Sequence, residues 1–92
     1  MPYAILPYTQ RQARRIGVEV RPSKKKDKKI DVYRGGRLIA SVGARGYPDY
    51  PHYLRSHSKE YANERRELYK TRHSPHREKE WTPSWLADQL LW

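Results

Sequence analysis

Ile30-Asp31-Val32-Tyr33-Arg34-Gly35-Gly36-Arg37-Leu38-Ile39-Ala40-Ser41-Val42 decides the fold of this chain. Its first four residues alternate in the way a half-buried strand does. Gly35-Gly36 supplies the positive φ angles that a primed two-residue turn needs, and Leu38 to Val42 forms the returning strand. A lone hairpin is marginal in water, so it must pack on helices or on more sheet.

C-terminal to the hairpin the signals are helical. Gly43-Ala44-Arg45-Gly46 is a loop and Tyr47 to Pro51 a turn, followed by a short helix over 50–55. Ser58 caps a longer helix that runs to about Arg72, with Tyr61, Leu68 and Ala62, Tyr69 on neighbouring lines of one face. His73-Ser74-Pro75 ends it. Residues 74–80 form a polar linker. Thr82-Pro83 then starts a last helix, a cap followed by a first-turn proline. It carries Trp85, Leu86, Leu90 and Leu91, with Trp92 at its end. Strand pairing followed by helices predicts an α+β body of one hairpin on two or three short helices.

N-terminal to the hairpin the chain changes character. Residues 10–29 hold 9 Lys/Arg against 2 acids, whereas the formal charge of the whole chain is +10. Residues 1–8, with two prolines, read as extended chain. Thr9 caps a short helix through Ile16, with Gly17 as its stop. Val18 to Arg21 alternates, Pro22 ends it, and Ser23 to Lys29 is a solvated lysine run. These features predict an extended basic arm over residues 1–29 joined to a body over residues 30–92. Such an arm repels itself and attracts polyanions. Arg11, Arg14, Arg15, Arg21, Lys24, Lys25, Lys26, Lys28 and Lys29 are the candidates for phosphate contact, which positions a protein without reading sequence.

Composition narrows the remaining choices. With 92 residues, 36% of them hydrophobic and 33% charged, the chain holds at most one lean domain. It has no cysteine, which excludes disulfides and thiolate metal sites. No apolar run approaches the roughly 20 residues of a membrane span, and the first residues do not resemble a signal peptide. The chain has 8 Tyr, 3 Trp and no Phe. Tyr47, Tyr50, Tyr53, Tyr61, Tyr69, Trp81, Trp85 and Trp92 offer faces on which bases stack, but they are better accounted for as the core of a chain without Phe. Tyr3, Tyr8, Trp81, Trp85, Leu91 and Trp92 are the candidates for a protein interface, Trp92 by docking into a neighbour's pocket. Of the four histidines, His73 and His76 straddle a helix end, and no tight second pair completes a metal site. Asp31, Asp49 and His52 are the residues an enzyme would have to use, and no motif joins them into a catalytic set. No cofactor, metal or small-molecule substrate is expected.

A resemblance adds to this. The order Arg14-Arg15-Ile16-Gly17-Val18, Arg21-Pro22-Ser23, a lysine run, Asp31-Val32-Tyr33, Ile39-Ala40-Ser41-Val42-Gly43 and Gly46-Tyr47-Pro48-Asp49-Tyr50 carries its first half. Tyr53-Leu54, Tyr61-Ala62, Arg65-Arg66, Leu68-Tyr69, Arg72-His73, Ala87-Asp88 and Leu91-Trp92 carry its second. This pattern resembles a group of small basic proteins encoded by large double-stranded DNA viruses of algae and other protists. The resemblance implies a viral gene product and brings no catalytic residue with it. The expected role is a non-enzymatic virion component, a minor capsid or core protein. Its basic arm would meet the genome or an acidic protein surface, and its partners would be capsid or core proteins and double-stranded DNA. The alternative is a sequence-nonspecific DNA-binding accessory protein of the infected cell. The expected locations are the virion and, during assembly, the host cytoplasm or nucleus.

Overall fold

The computed structural model describes residues 3–73 and 79–92. The elements follow in the order α1 (Pro7–Ile16), β1 (Glu19–Pro22), β2 (Lys28–Arg34), β3 (Arg37–Ala44), α2 (Tyr50–Ser56), α3 (Lys59–Arg72) and α4 (Pro83–Leu91). The three strands form one antiparallel sheet in the order β1-β2-β3. The α+β class stands. The sheet, however, has three strands where the sequence announces two.

The hairpin is built as its sequence demands. Gly35 and Gly36 turn the chain at φ 59° and 78°, and Ile30 pairs with Val42 and Val32 with Ala40. A register shift at Val32/Tyr33 then sets Tyr33 opposite Leu38, and Leu38 is left 49% exposed. Ile30, Val32 and Val42 share one face with Val20 of β1. Against this face pack Ala13 of α1 and Leu86, Leu90 and Leu91 of α4. Ile30, Val32, Leu86 and Leu90 are fully buried, each contributing about 1.5–3 kcal/mol by leaving water.

The extended basic arm is corrected by the structure. Residues 7–16 are helical, and Val20 and Pro22 pair with Val32 and Ile30 as an edge strand. Pro22 is compatible with a strand because it sits at the sheet's edge, where its missing N–H costs no ladder bond. Pro7, at the first helical position, starts α1 two residues before the expected Thr9 cap. Gly17 stops the helix as expected, at φ 79°. Ala13 and Val20 are 1% and 6% exposed, so α1 and β1 belong to the same core as residues 30–92.

The last helix is held by the first. The final carbonyls of any helix lack partners within it, and α4 has no basic residue in its last turn. Side chains of α1 supply the donors: Gln12 Nε2 to the Gln89 carbonyl (3.0 Å), Thr9 Oγ1 to Leu90 (2.9 Å) and Tyr8 OH to Trp92 (3.2 Å). These bonds tie the tail, expected to dock into a neighbour, to the chain's own first helix. Leu91 is 1% exposed, and the Trp92 ring stacks on Tyr69 of α3 at 4.3 Å and 8°. Tyr8 packs edge-on against Tyr50, so its ring too is engaged within the chain.

Three expected helices are present with their caps. Asp49, Ser58 and Thr82 accept from the backbone N–H groups of His52, Tyr61 and Trp85, which start α2, α3 and α4. The helix end at His73 is observed, whereas the expected linker over 74–80 falls largely outside the described residues, as does His76. No helix among the described residues is long and apolar enough to cross a membrane.

Gly43 sets a test of the packing between β3 and α4. Its φ is +85°, and a Cβ there would lie 2.8 Å from Leu91 Cδ1 and 2.9 Å from Lys29 Cδ. Gly43→Ala is expected to lower unfolding free energy by about 1–3 kcal/mol in urea denaturation, through strain and overpacking. Unchanged stability would contradict this packing.

Candidate nucleic-acid interface

Folding sorts the ten carboxylates and twenty Lys/Arg of the chain unequally. Three carboxylates, Asp31, Asp49 and Asp88, are buried. Asp49 is fully buried. It accepts from Lys29 Nζ of β2 at 2.9 Å, from the Tyr3 hydroxyl, from the His52 backbone N–H at 3.2 Å, and it meets His52 Nδ1 at 2.7 Å. Asp31 accepts from the Ser23 and Ser41 hydroxyls, both at 2.6 Å, and from the Lys24 N–H at 3.2 Å. Asp88 of α4 pairs with Lys70 of α3 at 2.8 Å.

These surroundings set the protonation states. Burial opposes ionisation of Asp49, but the Lys29 ammonium and the hydrogen bonds from Tyr3 and His52 outweigh it and hold the carboxyl below its ordinary range. Burial opposes ionisation of Asp31 too, and there the two serine hydroxyls, the Lys24 N–H and the Lys25 charge prevail. Burial first, and then the charge of Asp49, pushes the Tyr3 phenol far above its ordinary value, so Tyr3 remains a donor.

The nine cations expected to meet phosphate therefore fall into groups. Lys29 is corrected: it is 5% exposed and spent on Asp49, because the strand that begins at Lys28 turns its side chain inward. Arg15 is exposed but donates to Gln89 Oε1 at 2.7 Å. Arg21 pairs with Glu19 at 3.0 Å and lies over the Tyr33 ring. Arg11 and Arg14 project from the exposed side of α1. Lys24, Lys25 and Lys26 are exposed on the β1–β2 turn, with Lys28 half-buried at its foot. Among the described residues, Arg11, Arg14, Lys24, Lys25, Lys26 and Lys28 form no ion pair with a carboxylate, while the Lys24 N–H and the Lys25 charge both act on Asp31.

The lysine run is not a loose tail. The Ser23 N–H bonds the Lys29 carbonyl at 3.0 Å, Lys28 N–H the Lys25 carbonyl at 3.2 Å, and Arg45 N–H the Asp27 carbonyl at 3.1 Å. The turn is tied to itself and to the end of β3. At the opposite end of the sheet, the β2–β3 turn carries Arg34 and Arg37, both exposed and without carboxylate partners among the described residues. Sequence reasoning missed these two as binding candidates. The signal was present, since they flank the Gly35-Gly36 turn and a two-residue hairpin must present its flanking residues at the rim. The seven residues of β2 separate the two basic ends by about 20 Å.

The other expected site residues divide as well. Asp49 and His52 meet, while Asp31 has a wholly different set of partners. Among the described residues no group of three or more His, Asp or Glu is placed to hold a metal ion. Of the aromatics, Tyr50 and Tyr53 are buried with Ala62 beneath α3, and Tyr47 is 73% exposed. Trp81 and Trp85 are half-buried and in contact, with ring centroids 4.9 Å apart. No family model, curated protein or solved structure matches the chain.

Both lowered carboxyls make the protein acid-sensitive. A carboxyl whose folded pKa lies below its unfolded value stabilises the fold above the unfolded pKa, and this is lost as pH falls through the folded one. With Asp31 and Asp49 both lowered, the urea midpoint should hold from neutral pH down to about 5 and decline steeply below about 4. A midpoint unchanged down to about pH 3 would contradict the assignment.

Proposed function

We propose that this is a non-enzymatic viral protein that holds nucleic acid by its phosphates, without regard to sequence. It would act as a component of the particle's core or as an accessory protein in the infected cell. The observation that carries the reading is the set of unpaired cations on ordered elements: Arg11 and Arg14 on α1, Lys24, Lys25 and Lys26 on the tied β1–β2 turn. Burial of Asp31, Asp49 and Asp88 takes three carboxylates off the protein's surface. A backbone already ordered beneath these cations loses less freedom on meeting phosphate than a loose arm would, and the side chains release counterions all the same.

The viral origin rests on the sequence resemblance. Leu91 and Trp92, expected at a protein interface, are engaged within the chain, which takes one support from the assembly role. Nucleic-acid contact is correspondingly the stronger half of the reading.

Two measurements test it. Fluorescence anisotropy with two duplexes of unrelated sequence should give equal affinities for the wild-type chain. Replacing Lys24, Lys25 and Lys26 with Gln should weaken both equally, by about tenfold or more at low salt, as loss of phosphate contacts requires. Loss on one sequence alone would contradict nonspecific contact, and no loss would remove the turn from the interface. Mass spectrometry of purified, nuclease-treated particles decides between the two settings: recovery places the chain in the particle, absence in the infected cell.

A further inference from the structure

The β2–β3 end of the sheet carries three oddities that phosphate contact alone does not use. Trp81 has φ 68°. A bulky side chain rarely adopts this left-handed conformation, and only where its surroundings hold it. The Arg34 guanidinium lies over the Trp81 ring, 3.8 Å from its centroid, and the Trp81 and Trp85 ring centroids are 4.9 Å apart. Arg37 stands directly opposite Arg34 across the turn, a like-charge placement that disfavours the hairpin. Neither arginine has a carboxylate partner among the described residues, although exposed Glu80 is next in sequence to Trp81.

A packing role for Trp81 explains part of this. The ring borders the core that α4 shares with the sheet. Packing does not explain why the side chain laid over it is an unpaired arginine, nor why a second unpaired arginine faces the first. A guanidinium placed over an aromatic ring offers a planar group for stacking, and free nucleobases stack on such planes. A neighbouring cation without a partner is what the attached phosphate needs. In a duplex the faces of a base are covered by its neighbours, so only an unstacked nucleotide can use both features.

We infer that the hairpin end of the sheet binds an unstacked nucleotide of a single-stranded nucleic acid. The base lies on the Arg34 guanidinium, which Trp81 supports from beneath, and Arg37 holds the adjoining phosphate. This rests on the nucleic-acid reading and deepens it, by adding a contact that discriminates single strand from duplex. It predicts a component of single-strand affinity that survives high salt, because stacking releases no counterions.

The experiment compares a short oligothymidylate with a duplex of equal length, using the whole chain. Arg34→Lys keeps the charge and removes the planar stacking surface. The side chain is exposed, so the fold is not put at risk. Single-strand affinity is expected to fall at least about fivefold, with duplex affinity unchanged. Oligothymidylate should also quench tryptophan fluorescence in the wild type, and less so in Trp81→Phe. If Arg34→Lys binds the oligothymidylate as the wild type does, the inference is overturned. If it weakens both ligands alike, Arg34 is a phosphate contact only; the inference falls and the nucleic-acid reading stands. If the wild type binds neither ligand, both fall together.

Discussion

The buried carboxylate of Asp49 is the interaction on which the rest of the structure depends. A fully buried charge is costly unless a partner and hydrogen bonds compensate it, and Asp49 draws them from three separate parts of the chain. Lys29 reaches it from the start of β2, Tyr3 from the N-terminal segment, and His52 from the first turn of α2. One side chain thereby fixes where the sheet begins, where the chain start lies and where the helical half is joined. It also explains the behaviour of the lysine run. Once Lys29 is drawn inward, Lys28 becomes a strand residue. The five residues between Pro22 and Lys28 are forced into a short turn that presents Lys24, Lys25 and Lys26 to solvent.

A second constraint joins the two ends of the described chain. α1 supplies hydroxyl and amide donors to the last carbonyls of α4, and α4 supplies the leucines that cover the sheet. Neither helix is adequate alone. α1 buries only Thr9 and Ala13, and α4 ends without charge to complement its dipole. Packed together they turn a lean composition into a closed core.

The legible parts of the fold were those set by local rules. Gly35-Gly36, the caps at Ser58 and Thr82, and Pro83 act within a few residues of themselves, and the elements they predict are present. The edge strand β1 was hidden because its four residues end in a proline and their pairing with β2 is read only once the sheet exists. Lys29 was hidden for a similar reason. In sequence it is one lysine of five, and its partner Asp49 is 20 residues away. Trp92 reads as a free tail because its stacking partner Tyr69 lies on another helix. The cations of α1 and of the β1–β2 turn were named correctly as exposed, since a run of like charge has little else to do. The order of the backbone that carries them was not foreseen, and it alters the proposed role, from an extended arm lying on neighbours to cations on ordered elements that meet phosphate.

The most direct test of that role is the salt dependence of duplex binding by the wild-type chain. If the ordered cations engage about six phosphates, a plot of log affinity against log salt falls with a slope near −5. The same slope on duplexes of unrelated sequence is the predicted result. A slope near zero, or no binding at low salt, would contradict the proposal that this surface meets nucleic acid through its backbone.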